Sequence, residues 1–149
     1  MSHDHISQLF IGIEEAKRGN TLLGMQLLNG LQEDSPHHRF YEAKAWFSYC
    51  LAKEKRDFRQ AIASCQDAWE KKPDSSEICL ALGRIYLLAG HRSAAIRVLQ
   101  RGLEIDNNRE IYRLLSSIGI RKSPVFGFLD RKNMVNIFTG RLFRRIGLR

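Results

Sequence analysis

The chain has 149 residues, 44% hydrophobic and 27% charged, with 24 Lys and Arg against 16 Asp and Glu, giving a formal net charge of +8 at pH 7 and a pI near 9.8. That composition is close to globular averages; it excludes collagen, low-complexity sequence and disorder as the main organisation, and one domain with a basic appendage fits the length. The charge is uneven, with net −2 over residues 1–40, +1 over 41–75, +2 over 76–109 and +7 over 110–149, so the basic character belongs to the C-terminal end.

Met1 to His5 opens the chain without a basic region leading into an apolar run, and the most apolar later stretch, residues 78–90, is short and carries Arg84. Neither a signal peptide nor a membrane span is expected. Cys50, Cys65 and Cys79 stand 15 and 14 residues apart with no Cys-x-x-Cys pair. An odd count in that arrangement reads as small buried side chains of a protein in the reducing cytoplasm. His3, His5, His37, His38 and His91 are scattered over a terminus, a connection and a turn, so no metal and no cofactor is expected.

Self-comparison gives a period of 34 residues. The first unit, 5–38, carries Ile11 and Gly12 at positions 7 and 8, Gly19 at 15, Gly24 at 20, Leu28 at 24, Leu31 at 27 and Pro36 at 32. Arg39 to Tyr41 intervene. The second, 42–75, has Asp57 and Phe58 at its turn, then Ala61, Cys65, Ala68 and Pro73 at 20, 24, 27 and 32. Its Trp46, Tyr49, Cys50 and Lys53 fall at 4, 7, 8 and 11 if the turn over residues 54–57 holds one extra residue. The third, 76–109, repeats the pattern with Leu82, Gly83, Tyr86, Gly90, Ala95, Leu99 and Gly102, and puts Asn107 at 32.

This alternation of small and large positions resembles the tetratricopeptide repeat, two antiparallel helices per unit. Small residues at 8 and 20 let the two helices approach, and large ones at 7, 11 and 24 fill the interface. Cys79 at the usual Trp position and Asn107 for Pro depart from the family pattern. The resemblance implies an all-α fold: a right-handed helical-hairpin solenoid of three units over residues 5–119. Its last piece is a capping helix, 110–119, whose Ile111, Leu114, Leu115 and Ile118 cover the open end.

Residues 120–149 read as a basic amphipathic segment. Ser123 and Pro124 interrupt the chain, and Asn133 can cap a helix with Val135, Phe138, Leu142 and Ile146 along one stripe. Arg131, Lys132, Arg141, Arg144 and Arg145 supply its charge, and Phe126, Phe128, Phe138 and Leu142 are candidate anchors. Three readings stand for it: docking on the repeats themselves, docking on a partner protein, or contact with anionic membrane or nucleic acid. No RRM, KH, zinc-finger or helix-turn-helix pattern accompanies it that could read bases.

The resemblance also implies a concave groove lined by positions 2, 5, 9 and 12 of each first helix, where the family holds an extended peptide or a helix of another protein. Those positions give Ile6, Leu9, Ile13 and Ala16 in the first unit, Lys44, Phe47, Leu51 and Glu54 in the second, and Glu77, Leu80, Arg84 and Leu87 in the third. That lining is largely apolar, so binding there should change little with salt. The clamp that some members use for C-terminal carboxylates is absent, because Leu9, Ile13, Glu77 and Ala81 occupy its positions. The resemblance extends to small bacterial three-repeat members, including chaperones of secreted clients, although those are often acidic.

No nucleophile elbow, phosphate loop, dinucleotide fingerprint or metalloprotease motif occurs, and the adjacent Glu14 and Glu15 point in different directions on a helix. The expected function is a cytoplasmic, non-enzymatic interaction module, an adaptor or chaperone-like scaffold, with no catalytic residues. Another protein is the expected partner, with self-docking of the tail and homo-oligomer formation as further readings. The alternative is a peripheral adaptor that meets membrane or nucleic acid through the tail.

Overall fold

A computed structural model describes residues 3–30 and 39–119, and every regular element among them is an α-helix. In chain order these are α1 (His3–Arg18), α2 (Thr21–Leu28), α3 (Phe40–Lys55), α4 (Phe58–Lys71), α5 (Ser76–Leu88), α6 (Arg92–Ile105) and α7 (Arg109–Ser117). Contacts divide the chain after Leu115, and the helical stack belongs to the first of the two units. Within it α1 packs on α2, α3 on α4 and α5 on α6, while α3 also meets α1 and α2, and α5 also meets α3 and α4. The result is three hairpins stacked in sequence order.

This placement explains the burial pattern. Helices α4 and α6 bury one stripe each, Ala61, Cys65 and Ala68 in the first and Ala95, Val98, Leu99 and Gly102 in the second, at the spacing of three and four that keeps residues on one helical face. Helices α3 and α5 have neighbours on more than one side. They bury nearly everything between Ala43 and Ala52, and from Ile78 to Gly83.

Close approach inside the hairpins rests on the small positions. A Cβ on Gly83 would lie 2.5 Å from Leu99 Cδ2, and one on Gly12 would lie 2.8 Å from Leu28. Either addition collides with a fully buried leucine whose packing is worth about 1.5–3 kcal/mol. Gly102 performs the same service for the end of the stack, where an added Cβ would sit 2.5 Å from Ile111 of α7 and 2.9 Å from Cys79 of α5. Asn108 starts α7 by accepting the N–H groups of Glu110 (3.0 Å) and Ile111 (3.3 Å) on Oδ1, and Ile111 and Leu115 are buried.

Turn chemistry separates the three hairpins. At the end of α5 the N–H of His91 donates to Tyr86 O (2.8 Å) and that of Gly90 to Leu87 O (3.1 Å), with Gly90 at φ +79°. That pair of bonds closes the helix by the left-handed glycine cap. The end of α1 repeats it with Gly19 at φ +98° and Asn20. At the end of α3 the left-handed position is held by Arg56, at φ +57°. In each case the left-handed residue stands two places ahead of the next helix, so the extra residue expected in the second unit's turn is not there.

Other boundaries also shift. Helix α3 begins at Phe40, inside the three residues expected to separate the first two units. Helix α2 ends at Leu28, with Asn29 extended and Gly30 at φ +88°, while Leu31 and Pro36 lie outside the described residues. The α4–α5 connection is tied back to α3 by Glu42, which accepts from Lys72 Nζ at 2.9 Å and from Ser75 Oγ at 3.0 Å.

Candidate functional site

The turns fix the repeat register independently of side-chain type. Counted back from Gly19 and Gly90, Ile6, Leu9, Ile13 and Ala16 of α1 share positions with Glu77, Leu80, Arg84 and Leu87 of α5. The same count from Arg56 gives Ala43, Trp46, Cys50 and Lys53 in α3, one residue ahead of the expected Lys44, Phe47, Leu51 and Glu54. The side chains agree with this correction. Lys44 Nζ donates to Asp67 Oδ2 of α4 at 2.7 Å, and Ser48 Oγ donates to Ser64 Oγ of α4 at 3.0 Å, so that face of α3 serves its own hairpin. Trp46 Nε1 instead donates to Glu77 Oε2 of α5 at 3.3 Å, and Lys53 Nζ to the carbonyl of Gly19 at 3.4 Å.

Burial removes much of the apolar lining expected on this side. Leu9, Ile13, Leu51 and Leu80 are buried, as are Trp46 and Cys50. Ile6, Phe47 and Leu87 are half-buried. The partly accessible side chains where α1, α5 and α7 converge are charged. Lys17 Nζ stands 3.2 Å from Glu77, 3.5 Å from Glu110 and 3.7 Å from Glu14. Arg84 reaches Glu110 with Nη2 at 3.0 Å and the carbonyl of Lys17 with Nη1 at 3.0 Å. Its guanidinium lies 5.1 Å from the ring centroid of Trp46 and 5.6 Å from that of Tyr49, within cation–π range. Asn108 Nδ2 adds bonds to Glu77 and to Ser76 Oγ, each 3.3 Å.

These contacts have a common electrostatic logic. The carbonyl of Lys17 is among the last of α1, where four C=O groups lack helical partners and the helix end is negative. Arg84 supplies both a donor and a positive charge there. Burial disfavours the Lys17 ammonium, yet Glu77, Glu110 and Glu14 together hold its pKa above the ordinary lysine value. On the other side of α3, the bond from Lys44 holds the Asp67 carboxyl below the usual carboxylate range.

The three cysteines are buried thiols. Burial, reinforced by Glu54, pushes Cys50 up to about 12; burial pushes Cys79 up to about 11 and, with Cys79 beside it, raises Cys65 as well. None is a thiolate near neutral pH, so none presents a nucleophile there. Among the described residues no cluster of His, Cys, Asp and Glu is placed to hold a metal ion, and no helix is long and apolar enough to cross a membrane. Arg131, Lys132, Arg141, Arg144, Arg145, Phe126, Phe128, Phe138 and Leu142 all lie outside the described residues.

Residues 51–118 match the family model of the tetratricopeptide repeat. This part of the chain is a tetratricopeptide repeat region. The matched span runs from the second half of α3 to the end of α7, so it takes in the third hairpin and the closing helix and leaves out α1 and α2. No curated protein matches the chain. Tetratricopeptide repeats generally mediate protein–protein interaction, and the family is typically a non-enzymatic scaffold.

Lys17, Trp46, Asn108 and Glu110 are the residues of this surface that sequence reading did not single out. Trp46 was hidden by the one-residue slip in α3. Glu110 falls one period of 34 after Ser76, at a position next to the lining ones, so the repeat pattern alone does not select it.

Proposed function

We propose that this protein is a tetratricopeptide repeat adaptor or chaperone-like scaffold that holds a peptide or helix of another protein on the side formed by α1, α3, α5 and α7. The observation that supports it is the convergence of Lys17, Glu77, Arg84 and Glu110, from three separate helices, on partly accessible charge, with half-buried Leu87 one turn along α5 from Arg84. Such a surface recognises a partner segment that brings charged side chains or backbone polar groups to a rim, with a few apolar anchors. Because the accessible part is charged, binding here weakens with salt, contrary to the expectation drawn from an apolar lining.

The test is selection of peptides from a displayed library on the full chain, followed by calorimetry of the enriched peptide. Arg84→Gln should weaken it roughly tenfold or more, as loss of a charged contact does, whereas Arg101→Gln on α6 should leave it within about twofold. Equal losses in both variants, or no enriched peptide, would refute the reading. The alternative adaptor role of Arg141, Arg144 and Arg145 predicts anionic-vesicle or oligonucleotide binding that is abolished by removing residues 120–149 and indifferent to Arg84→Gln.

A further inference from the structure

In a solenoid each hairpin ordinarily touches only its neighbours, and its stability is a sum of nearest-neighbour contacts. This stack contains an exception. Lys17 belongs to the first hairpin, whereas Glu77 and Arg84 belong to the third and Glu110 to the closing helix. Helices α1 and α5 are not among the principal packing pairs, so long side chains bridge them: Lys17 Nζ to Glu77 at 3.2 Å and to Glu110 at 3.5 Å, and Arg84 to the Lys17 carbonyl at 3.0 Å. The lysine side chain is 16% exposed and the arginine 21%, so solvent screens these pairs less than it screens surface pairs.

Among the described residues the first hairpin also has the shortest outer helix. Helix α2 has 8 residues where α4 and α6 have 14 each, which shortens the apolar stripe it can bury. The same hairpin leaves Ile11 and Leu22 more than half exposed.

We propose that Lys17, Arg84, Glu77 and Glu110 form an ionic clasp that fastens the first hairpin across the second onto the third hairpin and α7, and that releasing it lets α1 and α2 open as one unit. The opened state exposes the face of α3 that packs on α1 and α2. The clasp adds to the packing of α1 and α2 on α3 a direct link to the third hairpin that is made of charges alone, so the closing of the inner side responds to ionic strength.

Hydrogen exchange read by mass spectrometry on the full chain tests this. Lys17→Met should accelerate exchange of α1 and α2 amides by roughly tenfold and leave α5 and α6 amides near wild-type rates, the pattern of a sub-global opening. Glu110→Gln should do the same, and the double variant should exchange less than multiplicatively faster, because both substitutions remove one shared pair. Glu104→Gln, which breaks the exposed Arg101–Glu104 pair at 2.8 Å, should change nothing. In the unmodified protein, raising NaCl from about 0.02 to 0.5 M should accelerate the first hairpin alone by about threefold, which decides the matter even if a variant fails to fold. Uniform acceleration of every helix, or a first hairpin indifferent to both salt and substitution, would overturn the proposal.

Discussion

Arg56 offers a clean test of how the turns hold the stack. It sits at φ +57°, in the left-handed region where Gly19 and Gly90 stand in the other two hairpins, and its side chain is exposed. An L-residue with a Cβ loses about 1–2 kcal/mol in that conformation, which glycine avoids. Replacing it by glycine also frees the unfolded chain, at a cost of about 0.4–1 kcal/mol. Arg56→Gly should therefore stabilise by about 0.5–1 kcal/mol, or roughly 1–4 °C in the midpoint for a chain of this size. Gly90→Ala is the reverse experiment. Nothing lies within 4 Å of a Cβ added at Gly90, so only the backbone conformation opposes it, and a loss of similar size is expected. Urea unfolding followed by circular dichroism should show the two midpoints moving in opposite directions at unchanged slope. If Arg56→Gly destabilises, or Gly90→Ala is neutral, the left-handed cap does not carry the energy assigned to it.

Three further outcomes follow from packing and ionisation. Gly83→Ala places a Cβ 2.5 Å from Leu99 in a buried interface, so it should destabilise by about 1–3 kcal/mol in the same urea assay, and combined with Leu99→Ala it should cost less than the sum of the two single losses. Glu42→Ala removes the acceptor of both Lys72 and Ser75 and should cost about 1–3 kcal/mol, whereas Glu42→Gln, which keeps an acceptor oxygen, should cost less. The thiol pKa values are raised in the folded chain, so the stability they contribute is complete below the ordinary value of 9.0 and is lost as pH rises through about 11 for Cys79 and about 12 for Cys50. Lys17, also raised, acts in the same direction above 10.5. The thermal midpoint should thus be insensitive to these groups near neutrality and fall above about pH 9, and a thiol reagent at pH 7 should label the cysteines only on unfolding.

The fold was legible because its decisive signals are steric. Gly12 against Leu28, Gly83 against Leu99 and the glycine turns at Gly19 and Gly90 repeat at a fixed spacing, and each states directly how closely two helices approach or where a helix stops. The second hairpin misled for the complementary reason. It has Arg56 in place of the turn glycine and Cys65 in place of the leucine nine residues beyond the turn, so its first helix was aligned on Trp46 and Cys50 instead. Counting from the turn puts Tyr49 in the register of Gly12 and Gly83. A residue-type match can slip by one position without visible cost in sequence; a backbone in the left-handed region cannot.

That single slip explains why the candidate site was less legible than the fold. It moved Trp46 off the inner side and put Lys44 onto it, although Lys44 serves Asp67 on its own hairpin. The remaining difference is a matter of range. Repeat positions describe contacts between neighbours, and they assigned Leu9, Ile13 and Leu80 to an open groove because each unit was considered with only the next one beside it. The pairs from Lys17 to Glu77 and Glu110 span 60 and 93 residues and join elements that no local periodicity relates. They depend on how sharply the stack curves, which is set by the volumes at every hairpin interface together. The surface proposed to hold a partner is a property of the assembled stack, so substitutions at hairpin interfaces, such as Gly83→Ala, should alter any peptide binding found there even where they touch no exposed residue.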